Sequence, residues 1–217
     1  MNTDDTQQYS RQAASRARWL KNLHQWHWIS SAVSLLGILL FSFTGITLNH
    51  ATQIEAKPAV TRKAADVPAA QMPALRALAA SHDGGKAVLP SATSAWLEAA
   101  WNVKTRTVEA EWSQDEAYVA LPRPGGDAWV RVNLEDGKAE YELTDRGWIS
   151  WLNDLHKGRH TGVAWSWFID IFAVACLLFA LTGLLILKFH AQNRPSTWPV
   201  VGLGVLLPVL LAILFIH

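Results

Sequence analysis

Long apolar segments near both ends of the chain enclose a polar central region. They lie within residues 28–50, 151–190 and 200–217, and the first of them carries no formal charge from position 28 to position 48. An α-helix rises about 1.5 Å per residue, so roughly 20 apolar residues cross the hydrocarbon core of a bilayer. The pattern therefore predicts an α-helical integral membrane protein with three transmembrane helices.

The central region, residues 51–150, has the pattern of a water-soluble domain. It begins with an Ala- and Pro-rich linker, KPAVTRKAADVPAAQMP, which leads into a short amphipathic helix, MPALRALAASH. Alternating apolar and polar positions then indicate four strands, TRTVEAEW, EAYVALP, AWVRVNL and KAEYELT, with turn signals at PRPGGD and EDGK. A helix followed by antiparallel strands predicts a small α+β domain inserted between the first two membrane helices.

Basic residues in the short flanks of the membrane helices predict the orientation of the chain. The positive-inside rule places such flanks in the cytoplasm and exempts long loops. The N-terminus is then cytoplasmic, and in a bacterium the protein lies in the inner membrane with its inserted domain in the periplasm. The basic flanking residues are Arg11, Arg16, Arg18, Lys21, Lys188 and Arg194. The predicted organisation is a cytoplasmic tail or interfacial helix (1–27), a first membrane helix (28–50), a periplasmic domain (51–150), an interfacial segment with the second membrane helix (151–190), a cytoplasmic loop (191–199) and a third membrane helix (200–217).

Composition supports a membrane protein and narrows its chemistry. Half of the 217 residues are hydrophobic and twelve are tryptophan, a residue that favours the membrane–water interface. The net charge of +1 gives no field that would attract nucleic acid, so no nucleic-acid partner is expected. The single cysteine, Cys176, has no partner for an intrachain disulfide, and there is no CxxCH site for covalent haem. A bound metal must therefore rely on histidine or carboxylate ligands.

Six of the eight histidines lie at the ends of the first two predicted membrane helices. In the predicted topology they form a cytoplasmic group and an outer group. The cytoplasmic group is His24, His27 and His190, and the outer group is His50, His156 and His160. His24 with His27, and His156 with His160, are three and four residues apart, so each pair shares a helix face.

Histidines from facing helices can bind one haem iron from its two sides. The spacing therefore predicts non-covalent haem b, with one or two haems per chain and all six histidines in the binding sites. The axial candidates are His24, His50, His156 and His190. Within each close pair the choice stays open, because one member can ligate while the other holds a propionate or relays a proton. His27 and His50 are 23 residues apart, roughly 35 Å along a helix, which keeps a single-haem protein in consideration.

Several segments of the chain are similar to PepSY-associated transmembrane helix proteins, in particular the short three-helix PepSY-TM-like kind. They are LHQWHWISSA with FTGITLNHA, then VNLEDGKAEYE, and WLNDLHKGRHTG with FALTGLLIL. The resemblance implies an inner-membrane protein with a periplasmic PepSY-like domain, related to haem-containing reductases of ferric siderophores. It places His24, His50 and His156 in the LH, LNH and DLH motifs of the family, whereas His27, His160 and His190 rest on spacing. Three membrane helices, where larger relatives have four or more, favour a homodimer or a hetero-partner.

These features favour an electron-transfer protein with b-type haem that reduces a periplasmic ferric acceptor such as a siderophore complex. Its electron donor would be a quinone pool or another donor, and its surroundings the lipid bilayer. The alternative is a non-enzymatic, membrane-tethered PepSY module that binds or regulates a periplasmic partner, in which the histidines are interfacial only. A transporter subunit for iron or haem is a third hypothesis, although three helices leave little room for a pathway.

Overall fold

Three long helices and a six-stranded sheet make up most of the described chain. The computed structural model describes residues 3–54 and 57–216, so the predicted ranges extend beyond the described residues at positions 1–2, 55–56 and 217. The helices are α1 (Thr3–Asn49), α2 (Met72–Ser81), α3 (Ser91–Trp101), α4 (Trp148–Lys157), α5 (Val163–His190) and α6 (Thr197–Phe215). The strands are β1 (Ala59–Asp66), β2 (Lys86–Val88), β3 (Glu109–Trp112), β4 (Glu116–Ala120), β5 (Gly126–Asn133) and β6 (Lys138–Asp145).

Three of the helices are long and apolar enough to cross a membrane, as the apolar pattern predicts. The membrane-length segments are Arg11–Asn49, Val163–His190 and Thr197–Phe215. The first belongs to a helix of 47 residues, so the polar residues before position 28 continue the membrane helix without a break. No Gly or Pro occurs between positions 3 and 36, and Ala, Arg, Gln and Leu favour helix there.

The chain divides into two compact units. One comprises the described parts of Met1–Leu40 and Trp167–His217, and the other is Phe41–Ser166. The first unit therefore holds most of α1 and α5 together with α6. The second holds the last turns of α1, the sheet with α2 and α3, the short helix α4 and the start of α5.

The sheet is antiparallel throughout, with strand order β1-β6-β5-β4-β3-β2. Strand β5 alternates buried with more exposed positions, and its buried side chains include Val130 and Val132. Leu75 of α2 and Leu97 of α3 are fully buried in the same apolar core. The two helices therefore cover one face of the sheet, which confirms that the chain has a separate α+β domain in addition to the membrane helices.

The four strands predicted from alternation correspond to β3, β4, β5 and β6. The EDGK turn is also confirmed, since Gly137 has a φ of 74° and Asn133 Oδ1 accepts from the amides of Glu135 and Asp136. The segment interpreted as a linker was assigned wrongly in part, because its residues Ala59–Asp66 form strand β1, paired along its whole length with β6. Helix α3 and strand β2 were not predicted.

Candidate functional site

Two histidines of the first unit face each other from different helices. His24 lies on α1 and His190 is the last residue of α5, and their ring centroids are 6.3 Å apart with the planes at 78°. Each ring is fixed by its own helix: Nδ1 of His24 bonds the Leu20 carbonyl at 2.8 Å, and Nδ1 of His190 bonds the Ile186 carbonyl at 2.9 Å. The sequence predicts His190 opposite His24 or His27, and the ring contact in the structure is with His24.

The hydrogen bonds indicate which nitrogen carries a proton in each of these two rings. A carbonyl oxygen only accepts, so in both residues Nδ1 must carry the proton and donate it. The lone pair of the neutral ring is then on Nε2, which is the arrangement that metal-ligating histidines adopt. Two imidazoles on one metal, each with a metal–nitrogen distance of about 2 Å, have ring centroids roughly 6 Å apart. The ring separation of His24 and His190 is therefore close to that of two ligands on one metal.

His27 occupies a different environment in the same unit. Its Nδ1 lies 3.0 Å from Oγ1 of Thr182, and its ring stacks on Phe179 with centroids 4.9 Å apart at 15°. Gly183 lies against the ring edge, where an added methyl group would be 3.2 Å from Cε1 of His27. His27 is therefore partly buried between α1 and α5, whereas His24 and His190 are exposed.

In the second unit, His156 has surroundings that resemble those of His27. Its Nδ1 lies 2.7 Å from Oγ1 of Thr44, and its ring centroid is 5.0 Å from that of Phe41. Gly45 lies beside the ring, where an added methyl group would be 3.6 Å from Cε1. Next to it, Oγ1 of Thr47 donates to Oδ1 of the buried Asn153 at 2.8 Å. These contacts join α4 to the last turns of α1.

The other two outer histidines are exposed and less constrained. His50 follows α1, and its Nδ1 donates to the Ile46 carbonyl at 2.9 Å, which again leaves the lone pair on Nε2. His160 has a left-handed backbone with φ 57°, and its ring has no hydrogen bond to the residues that the structure describes. Among those residues there is also no ring contact between His50 and either His156 or His160. The expected outer pairing is thus not present as a contact.

The described residues contain no cluster of three His, Cys, Asp or Glu side chains that could hold a metal ion by themselves. In this part of the chain the six candidate histidines stand singly, except that His24 and His190 form one pair in ring contact. Among basic residues, Arg16 lies over the Phe189 ring, 5.7 Å from its centroid, beside the end of α5.

Residues 18–217 match the model of the family described as "Putative PepSY_TM-like". The chain belongs to this family. The match covers all three membrane-length helices from position 18 onward together with the sheet domain, so it confirms the resemblance read from the motifs. Neither the curated proteins nor the solved structures gave a match to this chain.

The PepSY_TM-like chain carries a second candidate surface on the open face of its sheet. One row of cross-strand neighbours runs over all six strands: Ala64, Glu140, Arg131, Tyr118, Glu111 and Lys86. Trp129 stacks on Tyr118 and borders a groove of about 460 Å³ formed by β1, β6 and β5. Burial raises the pKa of Tyr118, with a smaller contribution from Glu111, so its phenol stays protonated as a hydrogen-bond donor at neutral pH.

Sequence reasoning found the histidines but missed the residues that hold them. Thr44, Thr182 and Asn153 are buried. Across helices, the two threonines bond His156 and His27, and Asn153 accepts from Thr47. A signal for the threonines is present in the chain, because the pattern Phe-x-x-Thr-Gly occurs once in α1 and once in α5 of this PepSY_TM-like sequence. Asn153 has no comparable signal.

Proposed function

We propose that this PepSY_TM-like protein binds haem b and transfers electrons to a ferric acceptor in the periplasm, such as a siderophore complex. The observation that carries the proposal is the pair His24 and His190, which come from two helices at the spacing of two ligands on one metal. Haem supplies reversible one-electron exchange when it is bound. The acceptor is the substrate, and its ferric ion gains one electron that a quinol or another donor provides.

The contribution of the chain is to hold and orient the ligands. The Leu20 and Ile186 carbonyls fix the rings of His24 and His190 through Nδ1, so no conformational search precedes ligation at Nε2. If His24 and His190 both held the haem iron, no site would remain for oxygen and outer-sphere electron transfer would be favoured. His50 and His156 would serve a second haem in the outer group, with His27 and His160 beside the two sites.

Exposure of the inner pair supports an assembly larger than one chain. His24 and His190 are both exposed in the single chain, whereas a haem is largely apolar and is stabilised when protein covers it. A second copy or another membrane protein would bury the macrocycle against α1 and α5. A homodimer or a hetero-partner is therefore part of the proposal.

The first experiment is a dithionite-reduced minus air-oxidised visible spectrum of purified protein expressed with ample haem. We expect a sharp low-spin b-type band, with pyridine-haemochrome analysis giving one or two haems per chain. His24→Ala and His190→Ala should each remove the inner haem. His82→Ala is the matched control, because His82 is also exposed and its Nδ1 also bonds a carbonyl of its own helix, that of Leu78, but it lies in the soluble domain.

A membrane-tethered binding module is the second candidate, and the Trp129 groove favours it. An aromatic side chain beside charged residues on an open sheet face suits an extended polar partner. In that case the purified protein would be colourless even when folded and supplied with haem. Such a result, with unchanged behaviour of His24→Ala and His190→Ala, would overturn the haem proposal in favour of this one.

A further inference from the structure

The motif Phe-x-x-Thr-Gly forms two similar histidine seats, one in each unit. In the α5 seat, Phe179, Thr182 and Gly183 surround His27 of α1. In the α1 seat, Phe41, Thr44 and Gly45 surround His156 of α4. In both seats the threonine hydroxyl meets Nδ1, the phenylalanine flanks the ring and the glycine leaves room for its edge. Two independent copies with the same three contacts are hard to attribute to general helix packing alone.

Each threonine hydroxyl already has an acceptor for its own proton. Thr182 Oγ1 donates to the Leu178 carbonyl at 2.6 Å and lies 3.1 Å from the Phe179 carbonyl. Thr44 Oγ1 donates to the Phe41 carbonyl at 3.2 Å. A hydroxyl has one proton and two lone pairs, so the oxygen that has given its proton to the helix accepts from the histidine. In that arrangement the seated ring carries its proton on Nδ1 and donates it to the threonine oxygen.

We propose that Thr44 and Thr182 are positioning residues that hold His156 and His27 as the Nδ1–H tautomer and so keep a lone pair on Nε2. The inference rests on the proposed function in one respect, namely that bound haem is what the lone pair serves. Either seated histidine can ligate iron or relay a proton, since the close spacing of the histidine pairs leaves both roles open. Both roles require an unprotonated Nε2. Each of the two copies of the Phe-x-x-Thr-Gly motif accordingly keeps a histidine lone pair available on Nε2.

The test uses haem-free, full-length protein in detergent with ¹⁵N-labelled histidine. Long-range proton–nitrogen correlation at about pH 8, where imidazole is neutral, reports which nitrogen carries the proton. We expect the Nδ1–H form for His27 and His156. Thr182→Val should convert His27 to a mixture of tautomers without affecting His156, and Thr44→Val should do the reverse, because no other described residue bonds Nδ1 of either ring. Thr→Ser at each position should restore the wild-type signal.

Two glycine variants keep the test informative if a valine variant does not fold. Gly183→Ala places a methyl group 3.2 Å from the His27 ring, which is tight, whereas Gly45→Ala leaves 3.6 Å to His156, an ordinary contact. We expect Gly183→Ala to shift the His27 ring signals and Gly45→Ala to leave those of His156 unchanged. Wild-type rings in the Nε2–H form, or tautomers that do not respond to Thr→Val, would overturn the inference.

The haem-loaded protein separates this inference from the proposed function. Partners that orient a metal-bound histidine typically contribute on the order of 10- to 100-fold to affinity, so Thr44→Val should weaken haem retention by about tenfold and Thr44→Ser should not. If no preparation binds haem while the tautomers respond as expected, the proposed function fails and the positioning role stands. If haem binds equally well to wild type and Thr44→Val, and the tautomers do not change, the positioning role fails instead.

Discussion

At the scale of single residues, Gly37 sets how closely α1 and α5 approach within the first unit. A Cβ atom at this position would overlap the ring of Phe172. Small residues at such points allow membrane helices to pack, since apolar lipid gives no hydrophobic drive for association. We expect Gly37→Ala to lower the free energy of unfolding in detergent by about 1–3 kcal/mol through overpacking, measured by SDS titration or thermal melting.

Gly202 provides the matched control for this prediction. It lies in α6 with open space where a Cβ would be placed, so Gly202→Ala introduces no clash. Alanine favours helix over glycine by about 1 kcal/mol, and the control should be neutral or stabilised. If both variants were equally stable, the approach of α1 and α5 at Phe172 would not limit packing.

The residues of the candidate site differ in how well the sequence predicts them. The sequence predicts that His190 pairs with His24 or His27, from the ends of two apolar segments, and in the structure its ring contacts that of His24. The repeated Phe-x-x-Thr-Gly pattern marks the two threonines in the sequence, but it does not show that they bond His156 and His27, because the partner of a buried Thr depends on which helix it faces. Single hydrogen bonds across helices are set by tertiary packing rather than by local pattern.

At the scale of elements, α4 links two parts of the second unit. Towards α1, its Asn153 and His156 bond Thr47 and Thr44. On the sheet side, Oδ2 of Asp154 accepts from the amide of Gly125 at 2.9 Å. Gly125 has a φ of 75° and packs directly on Trp151, so neither a side chain nor an ordinary backbone conformation is available there. The helix thus carries an outer histidine and also holds the β4–β5 hairpin.

Loss of the Asp154 carboxylate should release this hairpin. Asp154→Ala leaves the Gly125 amide without its acceptor, and a hydrogen bond to a charged group is worth roughly 1.5–3 kcal/mol. We expect amide hydrogen exchange at Gly125 to accelerate by about tenfold or more. Asp154→Asn retains a carbonyl oxygen and should show a smaller effect, and Asp115→Ala, on an exposed loop, should show none. Equal exchange in Asp154→Ala and wild type would contradict the linking role of α4.

The sheet shows which elements can be predicted from pattern alone. Strands β3 to β5 have one side chain in two buried in the core that α2 and α3 share, and this alternation is visible in the sequence, whereas β6 buries only Ala139. Strand β1 lies at the sheet edge with nearly all of its positions exposed, so its composition resembles a linker. Charged side chains on edge strands commonly protect a sheet against aggregation. They also interrupt the alternation of apolar and polar positions from which a strand is predicted.

At the scale of the whole molecule, orientation decides whether the sheet domain and the outer histidines face a periplasmic acceptor. The sequence argument for this orientation comes from the basic residues of the short flanks, whereas the net charge of +1 does not bear on the orientation. The chain has a single cysteine, Cys176 in α5. In a Cys176→Ala background, one accessible cysteine can therefore be introduced by substitution at a chosen exposed position. Exposed positions for this purpose are Ser15 in α1 and Lys104 in the sheet domain.

We expect Lys104→Cys in the Cys176→Ala background to react with a membrane-impermeant maleimide in cells whose outer membrane alone is permeable. Ser15→Cys should react only after the inner membrane is opened, because the positive-inside rule predicts that the end of α1 with Arg11, Arg16 and Arg18 is cytoplasmic. The background without an added cysteine is the labelling control, and haem content measured in parallel shows that the variants are intact. Reversed labelling would place the sheet domain in the cytoplasm, and a periplasmic ferric acceptor could then not reach it. Labelling as expected would put the sheet and His50 with His156 on the side where such an acceptor arrives, and would leave His24 and His190 on the side of the electron donor.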